Sequence, residues 1–482
     1  MFLKISVYLL ITLIVSGCSV HRLRKEEPVI RLPDTFSGGG AGEGLPSPAV
    51  GWWEAFGDSR LNALMEDAFL QNLDIARAYE RLRQAQAIMR STASSLSPRV
   101  SLEGQAGRVR QQGMFGAATT GSYRLSAAAG YEIDLWHKLK AQTEAARLDA
   151  EASEEDIKTL FISISARIAD LYYLAVEQRA QIELSDRSIA SFQDTLELVE
   201  RRYREGLAPA MDVYQSRRNL AAVRAARPVF ESNLSAALNA LSVLTGRFPD
   251  RELAGNSAEL PEPPAFPSGI PSQVLTRRPD VRSALLRLRA SDWRAGAAVA
   301  GRFPSFNIIG SYGGASERVK TLLDSPNIFW NLLLDIAHPL LDGGRLKAEA
   351  ERAEAVFREQ LFGYHQTVLT SFKEVEDALA GINAAETRLS VLDAGLIAAS
   401  GALRLSLDRY AQGLTDYLPV LTAQQRYYES ESSIIAARQQ RISVAIQLAR
   451  VLGAEWTDGI IEQTLTSGRR EGDTHEQERK IN

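Results

Sequence analysis

From His137 to Glu205 the chain has neither Pro nor Gly, and its apolar residues step by four and three. They run Ile157, Phe161, Ile164, Ile168, Leu171, Ala175, Ile182, Ile189, Phe192, Leu196, Val199 and Tyr203, with polar Gln178 and Ser185 in two slots of the ladder. A period near 3.5 held for so long predicts a coiled-coil helix, well past the usual length of a globular one. At a rise of 1.5 Å per residue, about 69 residues reach roughly 100 Å.

Elsewhere the period drops to two. Tyr123, Leu125, Ala127, Ala129, Tyr131, Ile133 and Leu135 alternate with Arg124, Ser126, Ala128, Gly130, Glu132 and Asp134. About 13 residues of such alternation suffice for a tilted strand to cross a bilayer. The predicted strand at 122–135 has a noisier partner at 99–112, joined through Gly113, Gly116 and Gly121. A second pair is predicted at 303–314, with Phe306, Ile308, Gly310 and Tyr312, and at 327–340, with Ile328, Trp330, Leu332, Leu334 and Ile336. Taken alone, the four strands also fit two soluble hairpins packed on helices. In a membrane they cannot close a barrel, and an open edge in lipid is prohibitively costly, so that reading requires several chains to share one barrel.

The patterns occur twice. Tyr203-Arg204-Glu205-Gly206-Leu207 is echoed by Tyr410-Ala411-Gln412-Gly413-Leu414, a shift of 207 (410 − 203). Gly246 and Gly453 differ by the same 207, Pro98 and Pro304 by 206, Gly104 and Gly310 by 206, and Asp74-Ile75 maps onto Asp280-Val281. A near-constant offset marks a tandem duplication. The first repeat spans 58–250 and the second 272–455; the linker at 251–271 ends in the Pro-rich run Pro261 to Pro271. Each repeat reads as a helix (59–96; about 272–300), two strands, a long helix (137–205; about 345–412) and a return helix (211–245; 419–452). Pro228 is expected to kink the first return helix. Gly363, Gly381, Gly395 and Gly401 are expected to loosen the second long helix.

The chain has 482 residues, a net charge of −4 and one cysteine. That leaves no disulfide within the chain, no thiolate metal cluster and no electrostatic case for nucleic acid. His21, His137, His338, His365 and His475 fall in unrelated contexts, Gly-x-Ser-x-Gly is absent, and Gly343-Gly344-Arg345 lacks the Lys-Ser/Thr of a phosphate loop. No catalytic residue, cofactor or metal site is read here, and the chain reads as no enzyme. Apart from residues 5–17, no apolar run reaches the ~20 residues of a membrane helix, so any crossing must use strands. Lys4, the apolar run Ile5 to Val15, and Ser16-Gly17 form a secretory signal over 1–17. Residues 18–57 read as a Pro- and Gly-rich tether whose Trp52, Trp53 and Phe56 pack on the body. Residues 456–482 read as a disordered tail.

Val15-Ser16-Gly17-Cys18 resembles a bacterial lipobox. That resemblance implies N-acyl and S-diacylglycerol lipid on Cys18, and Ser19 after it favours the outer membrane. Nearly all of the chain from 18 to 455 resembles the outer membrane efflux proteins, the TolC-like family, in the lipoprotein branch that serves RND-type efflux systems. The residues carrying the resemblance are Cys18; Trp52-Trp53 with Phe56 and Asp58; Tyr131-Glu132-Ile133-Asp134-Leu135-Trp136; Arg277-Arg278-Pro279-Asp280-Val281; Phe303-Pro304; Pro339-Leu340-Leu341-Asp342-Gly343-Gly344-Arg345; and the two Tyr-x-x-Gly-Leu turns. It implies an α+β membrane protein: a long antiparallel coiled-coil barrel, with four strands per chain entering a trimeric twelve-stranded transmembrane β-barrel. It further implies a passive exit duct anchored in outer membrane lipid, with a large periplasmic part. A periplasmic adaptor (membrane fusion protein) and an inner-membrane pump would load it. The rival reading is a lipid-anchored periplasmic coiled-coil scaffold without a pore.

A duct needs a gate, and the turns at 204–213 and 411–420 are the candidates. Gly206 and Gly413 suit left-handed helix ends there. Asp212 and Asp416, repeated by three-fold symmetry, would make acidic rings; Asp is also a good helix N-cap, and both readings stand at this point. Leu418 suits an apolar constriction or ordinary packing. Arg409 and Tyr410 resemble tip residues that hold the family's closed state. One departure is that Leu421 is followed by Thr422, where many relatives carry Asp.

Overall fold

The computed structural model describes residues 51–113, 116–264, 277–453 and 456–457. The signal at 1–17, Cys18, the tether as far as residue 50, the linker from 265, the start of the second repeat at 272–276 and the tail from 458 lie outside the described residues. The described residues divide into two units, one holding residues 80–154 and 282–367, the other residues 51–79 together with 155–281 and 368 onward.

The first unit holds the sheet. Strands β1 (Arg99–Gly113), β2 (Gly116–Ile133), β3 (Ser305–Ser316) and β4 (Ile328–Ala337) pair antiparallel in the order β1-β2-β3-β4. Their bounds differ from the pattern for local reasons. β2 begins six residues before 122 because β1 keeps pairing with it as far as Gly113 opposite Gly116. It ends at Ile133, where the Asp134 carboxylate accepts from the Leu139 and Lys140 amides and starts the helix Lys138–Arg204. β3 starts only after Pro304, whose oxygen accepts from Trp136 Nε1 at 2.7 Å. β4 stops short of 340; Pro339 has no N–H to continue a ladder.

The register sorts the strands into two faces. Directly paired residues share a face, so Val100, Leu102, Leu125, Tyr131, Ile133, Phe306, Ile308, Tyr312, Trp330, Leu332, Leu334 and Ile336 fall on one. Arg99, Ser101, Glu103, Gln105, Arg124, Ser126, Glu132, Asn307, Ser311, Asn331 and Asp335 fall on the other, where Val109, Ile309, Phe329 and Leu333 are the large apolar exceptions. Helices leave one end of this sheet. Within this unit Ala145 and Leu148 of α3 (Lys138–Arg204) pack on Ala290 of a further helix, Pro279–Ala300.

The second unit is helical. The predicted helix 59–96 is two, α1 (Ser59–Gln71) and α2 (Leu73–Ala93), because the Asn72 side chain accepts from the Asp74 and Ile75 amides and caps a new start. Here α3 meets α4 (Ala210–Leu244), while the helix Pro279–Ala300 is α5, and α6 (Arg345–Ala411) meets α7 (Tyr417–Val451). α4 runs unbroken through Pro228 and α6 through its four glycines. The core holds the predicted Trp52, Trp53 and Phe56, with Phe69, Phe161 and Tyr173; Trp52 Nε1 donates to Ser165 Oγ at 3.2 Å. Trp456 stacks edge-on against Trp53, with ring centres 4.8 Å apart, and Thr457 is buried beside it. A tail starting at 456 is therefore corrected: these two residues belong to the core.

The ladder on α3 is mostly buried, and its polar slots are buried too. Ser185 donates to the Gln181 backbone, and Gln178 to Glu177. Polar side chains also join α3 to α7: Asp170 with Ser443 and Gln447, Gln181 with Ser432, and Ser191 and Thr195 with Gln424. Tyr203 is the exception, 49% exposed. α3 and α6 each contain an 18-residue stretch apolar enough on average to cross a bilayer, by length and composition only. In α3 that stretch is 67% buried; in α6 it is only 6% buried.

Candidate functional site

Two places can do the work of a duct: the amphipathic sheet, and the two turns between paired helices. Each turn closes by the same device. Gly206 (φ 74°) donates to Tyr203 O and Leu207 to Arg202 O; Gly413 (φ 76°) donates to Tyr410 O and Leu414 to Arg409 O. These are the paired bonds of a left-handed glycine helix end.

The structure separates the two acids. Pro209, not Asp212, sits at the N-cap of α4; Asp212 is the third residue of the helix, its amide bonded to Pro209 O. Asp416 does occupy the N-cap of α7, yet its side chain makes no capping hydrogen bond. Burial raises the Asp212 pKa from its ordinary value, and the charge of Asp416 raises it further. The turns therefore bring two carboxylates into each other's field. Leu418 is 62% exposed, so it is not packing inside its own chain. Arg409 is exposed, while Tyr410 is buried.

Two residues here escaped sequence reasoning. Arg202 lies with its guanidinium 4.7 Å from the Tyr410 ring centre and donates to Tyr410 O at 3.0 Å and Ala411 O at 3.4 Å. It thus caps the last carbonyls of α6 from α3. Its only signal was the repeat, which pairs it with Arg409. Tyr417, fully buried, packs its ring 5.8 Å from that of Tyr410, in a cluster with Phe192, Val199, Val213, Leu220, Val420 and Leu421. Beside it an open groove of about 500 Å³ is lined by Ala399, Ala402, Ser406, Leu418, Thr422 and Ala423. Among the described residues, no three His, Asp or Glu side chains converge as a metal site.

The family model of the outer membrane efflux protein matches twice, at residues 64–247 and 270–454. The chain belongs to the outer membrane efflux protein family. The two matched segments start 206 residues apart and end 207 apart (270 − 64; 454 − 247), the offsets of the repeat. The chain is 29% identical to the pyoverdine export outer membrane protein OpmQ of Pseudomonas aeruginosa, over 86% of this chain and 90% of that one. It is 29% identical to outer membrane protein OprJ of the same organism, over 94% and 96%. The solved structure of the outer-membrane channel OprN superposes with a TM-score of 0.85 at 25% identity, covering 91% of this chain and all of that one. The members of this family are channels, not enzymes. This efflux protein is an outer membrane component with a large periplasmic part, and it serves as an efflux exit duct.

Proposed function

We propose that three copies close into one twelve-stranded barrel, the exit duct of a tripartite efflux system. The observation that carries this is the sheet, apolar on one face, polar on the other and open along β1 and β4. Each unpaired backbone group on an open edge costs several kcal/mol in hydrocarbon. Pairing β1 of one copy with β4 of the next removes every edge, and three copies of four strands give twelve. The apolar face then meets lipid and the polar face lines a water-filled lumen. Phe362, Leu369, Val391, Ile397 and Leu405, exposed on α6, gain partners from neighbouring copies.

Cys18 carries the N-acyl and S-diacylglycerol lipid in this reading and adds an anchor. The turns form the periplasmic mouth. Asp212 and Asp416, three of each, make an acidic ring that repels itself when closed. The groove at Ala399, Ala402 and Ala423 receives helices of the periplasmic adaptor, and an inner-membrane pump supplies the energy. A pore-free scaffold has no use for a sheet with one polar and one apolar face.

The test is the mass of the detergent-extracted particle after subtracting detergent. Three chains per particle supports the shared barrel. A monomer that becomes soluble once Cys18 is replaced sinks the pore.

A further inference from the structure

The β1–β2 hairpin runs on past the rest of the sheet. β2 pairs with β3 only from Tyr123 to Ile133, while β1 and β2 stay paired out to Gly113 and Gly116. The last rung shared by three strands on the apolar face is Ala106, Tyr123 and Ser316. Side chains on one face recur every second residue, so the next two positions of β1 on that face are Arg108 and Arg110. Opposite them stand Gly121 and Thr119, too small to cover a guanidinium. Both arginines are exposed. Neither has an ion pair or side-chain hydrogen bond among the described residues. Glu317, whose backbone oxygen comes up against Gly121, pairs with neither. Arg124, by contrast, lies on the polar face and stacks over Phe329 at 4.6 Å.

The depth of the pair follows from strand geometry. Tyr123 to Ile133 is ten steps along β2, about 33 Å of strand and roughly 25 Å of height at a tilt near 40°, the height of a barrel's apolar band. Two and four residues past Ala106 put Arg108 about 5 Å and Arg110 about 10 Å beyond that band. The head-group layer on each side of a bilayer is about 5–8 Å deep. The pair thus stands in that layer and at its outer margin, at the end of the sheet opposite the helices. A guanidinium fork recognises phosphate with two parallel hydrogen bonds.

We propose that Arg108 and Arg110 bind the phosphates of anionic lipid head groups in the outer leaflet, foremost a phosphorylated glycolipid whose acyl chains cover Ala106, Tyr123 and Leu125 below. This rests on the apolar face of the sheet lying against lipid. Continuity with the apolar band favours a lipid over a free anion.

The experiment returns the full-length protein to phosphatidylcholine vesicles doped with lipid A, re-extracts it gently, and reads retained lipid A by native mass spectrometry. The double variant Arg108→Gln, Arg110→Gln is expected to retain several-fold less lipid A than wild type, and Arg124→Gln as much as wild type. Equal retention by the double variant overturns the proposal. So does full displacement by inorganic phosphate, which would make the pair a free-anion site. A wild-type protein that fails to float with the vesicles would remove the membrane reading itself, a different result from loss of lipid A alone.

Discussion

Asn72 Nδ2 donates to the backbone oxygen of Leu244 at 2.7 Å, closing α4 onto the start of α2. The second repeat repeats the clasp with another residue: Arg278 reaches the Val451 oxygen at 3.3 Å, 206 and 207 positions further on. Arg278 also pairs with Asp280 at 2.6 Å and Glu374 at 2.8 Å. Asn72→Ala removes a cap and leaves a carbonyl unpaired, and is expected to cost about 2 kcal/mol. Arg278→Ala takes the cation from Asp280 and leaves Glu374 with Arg450 at 3.4 Å, and should cost about 3 kcal/mol. Thermal melts followed by circular dichroism check both; unchanged midpoints would refute the clasp.

Gly206 and Gly246 both have positive φ, at 74° and 68°, but their surroundings differ. A Cβ on Gly206 meets nothing within 4 Å, whereas one on Gly246 would stand 2.3 Å from the Gln71 oxygen. Gly206→Ala should cost only the backbone strain, about 1–2 kcal/mol. Gly246→Ala should cost clearly more and lower the yield of folded protein.

His137 holds φ 60° at the entry to α3, and Gly343 holds φ 63° at the corresponding place 206 residues later. The first repeat carries the strain that the second avoids. His137 is exposed, so His137→Gly gives up little packing. The substitution is expected to raise stability by about 1 kcal/mol, read as a higher melting midpoint.

Glu177 is buried on α3, with donors from Gln178 and Gln181 but no cation among the described residues. Burial raises its pKa, against those hydrogen bonds. A carboxyl whose folded pKa exceeds its unfolded value binds protons more tightly when folded. The stability this gives is full below the unfolded pKa and is lost as pH rises through the folded one. Glu177→Gln should therefore melt higher than wild type at pH 8, and the gap should close toward pH 4. A gap that widens on acidification would contradict the sign.

Leu332 and Ser101 stand on adjacent rungs near mid-sheet, on opposite faces. Leu332→Arg should cost about 2–4 kcal/mol of barrel stability, the midplane figure for a charge facing lipid. Ser101→Arg should leave folding intact and alter single-channel conductance instead. Equal tolerance of the two would argue against lipid on the apolar face.

Much of this was legible because period is a local property. The α3 ladder and the alternation in β2 are written in consecutive residues, and the repeat is written in spacing. The break at Asn72 was hidden, since a polar residue looks the same whether it caps a helix or rides its surface. Tyr203 and Tyr410 share one motif, yet one is 49% exposed and the other 2%. Tyr417 of α7 and the Arg202 guanidinium, both against the Tyr410 ring, distinguish them. The reach of Arg202 to Tyr410 spans 208 positions, and no window of sequence contains it. For Asp212, Pro209 had already taken the cap.

The duplication has a thermodynamic consequence for assembly. A chain of one repeat would bring two strands, and a twelve-stranded barrel would need six such chains to meet. Joined in tandem, three would suffice for the barrel proposed above. Each association forgone spares a cost in translational and rotational freedom of about 4–15 kcal/mol, and ring formation then depends on the third power of chain concentration instead of the sixth. Fusion also frees the halves from being identical, which is how one tyrosine of the pair came to be buried under Arg202 while its twin faces outward.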